Sequence, residues 1–136
     1  MSARNVAATM SFASGFLLWR AAMRWQRTVE LELKPTGLTH AQFLVLRSAD
    51  VCQRAADDAV SQRMIASGAG LDEATTSRVA RTLEKRGLLD RGPASGNGRA
   101  WRVIVTSGGR RLLERAARGV AKAEKRFFEE REPNAT

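Results

Sequence analysis

The chain has a single cysteine, a single histidine and no tyrosine among its 136 residues. A lone thiol, Cys52, cannot close a disulfide within the chain and fits a reducing compartment, the cytoplasm. With His40 the only imidazole, the usual four-ligand Cys/His zinc site cannot be assembled either. The acid–base and nucleophilic groups that catalysis draws on are scarce. No glycine-rich phosphate loop follows a strand, and no metal-ligand cluster is present. The pattern points away from an enzyme and calls for no cofactor and no metal. No run of about 18 apolar residues exists, so no membrane span is expected. The first residues lack the basic and apolar regions of a secretion signal. Only three prolines punctuate the chain, and no repeat or low-complexity tract appears.

Positive charge is what the sequence has in excess: 23 Lys/Arg stand against 14 Asp/Glu, a net +9. From Arg78 to Arg118, eleven Lys/Arg meet three acids (Glu84, Asp90, Glu114), so +8 of the +9 lies in that segment. A basic balance alone fits a nucleic acid or an anionic membrane surface. Its concentration in one segment favours nucleic acid. The length suits one compact domain, residues 1–136, with a modest core.

The element pattern comes from periodicity and caps. From about Asn5 to Lys34, Phe12, Phe16, Trp19 and Met23 recur at three- and four-residue steps, which predicts one helix, ended by Pro35 and Gly37. Thr39-His40-Ala41-Gln42 has the form of a capping box opening a second helix to about Cys52, with Phe43, Leu44 and Leu46/Arg47 marking its inner side. Ser61 caps a short third helix holding Met64 and Ile65, and Gly68 and Gly70 sit near its end. Asp72 caps a fourth helix whose inward positions are Thr76, Val79, Ala80 and Leu83. Its outward positions are Thr75, Ser77, Arg78, Arg81 and Lys85, and Gly87 terminates it. Leu88-Leu89 and Trp101-Val103-Val105 read as paired strands joined by an Asn97-Gly98 turn. Thr106 or Ser107 caps a last helix, which Pro133 ends.

A helix, a tight turn, a second helix with a basic outer face and an arginine-tipped hairpin form a surface suited to a duplex. The first turns of such a helix reach base edges in the major groove, which gives Thr75, Ser77 and Arg78 a reading role. Arg81 and Lys85 lie further along and are placed against phosphates. Arg99, at the hairpin tip, suits a narrow minor groove. These features alone also fit a non-specific architectural DNA-binding protein or an RNA-binding module, which differ in specificity ratio rather than in charge.

The run GLTHAQFLVLRSAD, followed by LDEATTSRVARTLEKRGLLDR, a glycine-rich wing and WRVIVTSGGRRLL, resembles the MarR family of bacterial winged-helix regulators. The resemblance implies a mainly α fold with a small β-hairpin wing. In it a winged helix-turn-helix lobe at about 38–105 is flanked by dimerisation helices at about 5–34 and 107–131. It also implies a homodimer on a palindromic operator of double-stranded DNA, acting as a repressor relieved by a small-molecule effector or an oxidant. The chain departs from the family pattern in three places. Asn97 replaces the wing aspartate that braces the arginine, Thr76 puts a hydroxyl where an aliphatic side chain is usual, and Gly68 lies inside the third helix.

In the family, effectors often lie where the dimerisation helices meet the lobe, which here makes Trp19, Met23, His40 and Phe43 the candidates for a lipophilic or aromatic ligand. An aromatic and methionine stripe at helical spacing is more often core than ligand site, and His40, near a helix start, is expected at the surface. Peroxide-sensing relatives carry their cysteine in the first helix. Cys52 ends the second, so a redox-responsive role would need an exposed thiol of depressed pKa.

Overall fold

The computed structural model describes residues 2–10, 13–55, 60–93 and 101–129. Six helices and one hairpin are seen among them: α1 (Ala3–Met10), α2 (Ser14–Leu33), α3 (His40–Ala55), α4 (Gln62–Ala69), α5 (Glu73–Lys85), β1 (Leu89–Pro93), β2 (Trp101–Val105) and α6 (Ser107–Glu129). A short 3-10 turn, Lys34–Thr36, links α2 to α3.

Sequence periodicity and structure part company at the start. The single helix expected from about Asn5 to Lys34 is two helices, because Ala13 is extended (φ −87°, ψ 120°) and α2 begins anew after it. The apolar stripe gives no sign of this break, since a stripe reports which face is buried and not whether the backbone is continuous. The second predicted helix also runs on beyond Cys52 to Ala55, and Arg47, expected on its inner side, is exposed while Leu46 is buried.

The caps form as their residue types require. The Thr39 hydroxyl accepts from the Gln42 amide at 3.1 Å, and the Gln42 side chain accepts from the Thr39 amide at 3.0 Å, a reciprocal capping box. Ser61 caps α4 by accepting from the Met64 amide at 3.2 Å. Helix α5 ends at Gly87 (φ +73°), a left-handed residue that lets the Leu88 amide reach back to the Leu83 carbonyl at 2.9 Å. Thr106 opens α6: its hydroxyl accepts from the Gly109 amide at 3.0 Å and donates to the Gly87 carbonyl at 2.7 Å. One side chain thus fixes the entry of α6 to the exit of α5.

One core joins these elements. Val29 and Leu33 from α2, Leu46 from α3, Ile65 from α4, Leu83 from α5, Leu89 and Val103 from the hairpin, and Leu113 and Ala116 from α6 are buried together. The hairpin is antiparallel, with Leu89 opposite Val105 and Pro93 opposite Trp101. Its free edge is held at one point, where the Val105 amide donates to the Gln53 side chain of α3 at 3.0 Å. Thr76 is fully buried, as its inward position requires, and its hydroxyl donates to the Asp72 carbonyl at 2.8 Å. The polar group placed against the core is therefore satisfied within its own helix.

Gly68 has a packing reason that its helix position hides. A Cβ there would overlap the Ser48 hydroxyl, which sits between α3 and α4 and donates to the Ile65 carbonyl at 2.8 Å. Helix α4 lies so close to α3 because nothing projects from residue 68. The helical cost of glycine, about 1 kcal/mol relative to alanine, is offset by that approach.

Candidate nucleic-acid interface and effector region

Helix α5 is built to present its first turn. The Asp72 carboxylate accepts from the Thr75 amide at 2.7 Å and from the Thr75 hydroxyl at 2.8 Å. These bonds, the backbone amide first and then the hydroxyl, hold the Asp72 carboxyl below the usual carboxylate range. The Gln62 side chain of α4 donates to the Glu73 carbonyl at 3.3 Å, tying the two helices at the turn.

Beyond that cap, Arg78, Arg81 and Lys85 are exposed along the outer face, while Thr75 and Ser77 are half-buried beside them. All five share the outward side assigned to them from the sequence. The Arg81 guanidinium donates to the Ser77 hydroxyl at 3.1 Å, so it leans back toward the start of the helix. Arg78 makes no side-chain hydrogen bond or ion pair with the described residues, which leaves its donors available to a ligand. Arg99 and the Asn97-Gly98 turn lie outside the described residues.

Two other basic residues of this segment have structural work. Arg86 donates to the Gly37 carbonyl at 3.0 Å, binding the end of α5 to the turn before α3. Arg91 of β1 pairs with Glu84 of α5 at 2.7 Å, setting the hairpin against the helix. Counting charges along the sequence could not separate these from the free ones; each needs a partner distant in the chain or on another element.

The candidate effector residues divide into two places. His40 and Phe43 are buried one turn apart on α3, so His40 is not the surface residue expected. Trp19 is exposed on α2, its ring 6.1 Å from that of Phe16, and Met23 is half-buried. The ring that meets His40 is Trp25, edge-on at 5.1 Å. Sequence reasoning missed Trp25 as a site residue because it lies off the Phe16–Trp19–Met23 stripe, on the side of α2 turned to the lobe. Trp25 Nε1 and His40 Nε2 are both buried, and neither finds a hydrogen-bond partner among the described residues. Burial lowers the His40 pKa below 6.5, against a smaller opposing pull from Glu30. Cys52 is a free, half-buried thiol packed against the core.

A helix-turn-helix whose second helix carries a free basic face, followed by a two-strand wing, defines the winged helix-turn-helix class of DNA-binding proteins. Comparison with known proteins narrows the class. The sequence model of the MarR family matches residues 38–101. The HTH-type transcriptional regulator YdcH of Bacillus subtilis (strain 168) is 35% identical over 114 residues, 84% of this chain and 77% of that protein. CouR from Rhodococcus jostii RHA1, solved bound to p-coumaroyl-CoA, is 33% identical, with 88% of this chain and 80% of that one covered and a TM-score of 0.72. The transcriptional repressor CouR bound to a 23-mer DNA duplex is 29% identical over 92% of this chain and 85% of that one, with a TM-score of 0.79. The chain belongs to the MarR family and is a DNA-binding transcriptional regulator, not an enzyme. No helix among the described residues is long and apolar enough to cross a membrane.

Proposed function

We propose that the protein is a homodimeric repressor acting in the cytoplasm on a palindromic operator, released from it by a small aromatic effector. The observation that carries the DNA half is the capped helix α5, with Arg78, Arg81 and Lys85 on its outer face. In this reading Thr75 and Ser77, beside them, face base edges, and Arg99, assigned from the sequence alone, takes a minor groove.

The dimer is supported by apolar surface that water would not tolerate well. Leu18 is 73% and Trp19 57% exposed on α2, and Phe128 is 58% exposed on α6. Helices α2 and α6 pack on each other, joined by Arg126 and Glu32 at 3.2 Å, so these residues belong to one helical layer at the two ends of the chain. A second copy of the same layer would cover them.

The effector is supported by the Trp25–His40 pair. Two buried ring nitrogens without partners among the described residues, with Phe43 buried one turn further along α3, pair apolar surroundings with directed polar groups as ligand sites do. CouR is solved both with an aromatic acyl-CoA and with DNA, the pairing of states this mechanism needs.

The test uses a duplex bearing an inverted repeat from the DNA adjoining the gene. Two protomers should bind per duplex, and an aromatic acid or its thioester should weaken binding at least about tenfold, the span of ordinary allosteric coupling. Trp25→Phe should lose the response while keeping DNA affinity. A sedimentation mass near 14.9 kDa at micromolar protein, or no response to any aromatic acid, would contradict the proposal.

A further inference from the structure

Outside both of these regions, helices α3 and α6 enclose a cleft of about 240 Å³. On α3, Arg47, Asp50 and Arg54 stand three and four residues apart, which puts them on one face. On α6, Arg110, Glu114 and Arg118 follow at four-residue steps and line the opposite wall. Leu113, buried in the core, also borders the cleft, so one side of it is rigid.

The charges in the cleft do not balance. Four guanidinium groups face two carboxylates, an excess of two positive charges among the lining residues. Asp50 is only 2% exposed, and its partners are Arg54 at 3.2 Å and Arg110 at 4.0 Å. The Arg54 contact uses Nε, leaving its terminal nitrogens free of described partners. The Arg110 contact is too long for a hydrogen bond, so that guanidinium is held nearby without its donors being used. Arg47, Arg118 and Glu114 form no ion pair with the described residues. Buried Asp50 thus acts as an internal anchor that gathers arginines around a space instead of neutralising them.

We propose that this cleft binds a small phosphate-bearing molecule. Guanidinium groups match tetrahedral oxyanions through paired donors, and a dianion would supply both the missing charge and the missing acceptors. The volume lies below the usual range for drug-sized ligands, so the occupant is little larger than the phosphate group itself. Such a site would let a phosphorylated metabolite bind the same helices that join the DNA lobe to the dimer layer, independently of the Trp25–His40 region.

The test needs no DNA, so its failure and the failure of operator binding are separable. Inorganic phosphate is titrated against the full chain by calorimetry and thermal melting at constant ionic strength, with chloride as reference. Saturable binding is expected, weakened roughly tenfold or more in Arg47→Ala/Arg118→Ala and tightened about threefold in Glu114→Gln, which removes a competing acid. All three altered positions are exposed, and melts without phosphate verify that the variants fold. Stabilisation by phosphate no greater than by chloride, or equal affinity in all three proteins, overturns the proposal. So does a double variant that binds duplex DNA more weakly while free phosphate has no effect, because the cleft would then hold the DNA backbone.

Discussion

Asp72 and Thr75 are joined twice, the aspartate accepting from both the amide and the hydroxyl of the threonine. The cap that starts helix α5 therefore also fixes the first side chain assigned to DNA. With its hydrogen committed to Asp72, the Thr75 hydroxyl can only accept from a base or sit against a phosphate through water. It cannot donate to a base acceptor while the cap holds.

The cap predicts a pH dependence. The folded Asp72 pKa lies below its unfolded value, so its stabilisation is complete above the unfolded pKa of about 3.9 and is lost as pH falls through the lower folded value. Asp72→Ala should lower Tm at pH 7 and shrink the acid-side loss. Asp72→Asn, which caps nearly as well, should keep most of Tm at pH 7 while also losing the acid-side slope. Thermal melts from pH 2.5 to 7 decide it; identical profiles in all three proteins would remove the cap from the account.

Arg78 should carry base preference, because its guanidinium is unengaged and stands one turn into the helix. Arg78→Ala is expected to cost about 1–3 kcal/mol on the true operator and to relax discrimination at one base pair. Lys85→Ala should instead weaken binding to all duplexes and reduce the salt slope by about one. Arg81→Ala should fall between them, since its guanidinium also bonds Ser77. Competition binding on operator and single-substituted duplexes separates the three patterns.

His40 should make the fold sensitive to mild acid. Burial holds its folded pKa below 6.5, so the neutral form is favoured by folding. Stability is complete above the unfolded pKa and falls as pH drops from there through the folded value, no more steeply than about 1.4 kcal/mol per pH unit for one proton. His40→Phe keeps a ring against Trp25 and should flatten this region of the profile. Denaturant unfolding at pH 7.5 and 5.5 checks it; an unchanged slope in the variant would place the titrating group elsewhere.

The approach of α3 and α4 gives a prediction with a change of sign. Gly68→Ala ought to stabilise an ordinary helix by about 1 kcal/mol. Here the new Cβ meets the Ser48 hydroxyl, and the crowding should destabilise by about 1–3 kcal/mol instead. In a Ser48→Ala background the nearest remaining atom is the residue 48 Cβ at 3.4 Å, an ordinary contact. The second glycine substitution should then be close to neutral, and a double-mutant cycle measures the coupling.

Local chemistry made much of this legible. Thr39, Ser61, Asp72 and Thr106 cap the helices they were expected to cap, and Gly70 and Gly87 take the left-handed conformation that ends α4 and α5. These are decided within four residues, which a sequence displays. The break at Ala13 was missed, since no proline marks it and the apolar stripe runs past Ser14-Gly15, the one local sign of a turn there. The choice of Trp25 over Trp19 to face His40 was not legible, since it depends on how α2 crosses α3. Arg86 and Arg91 illustrate the same limit: their charges suggest DNA, yet one is bound to Gly37 and the other to Glu84.

Sequence-specific recognition of DNA by α5 is what the proposed function rests on. Its most direct test is fluorescence-anisotropy binding to the intergenic duplex upstream of the gene, against a scrambled duplex of equal length near physiological salt. A preference of about a thousandfold or more for the upstream duplex is expected, falling sharply with Arg78→Ala. Equal affinity for both duplexes, with the steep salt dependence of pure phosphate contact, would contradict it and point to an architectural role.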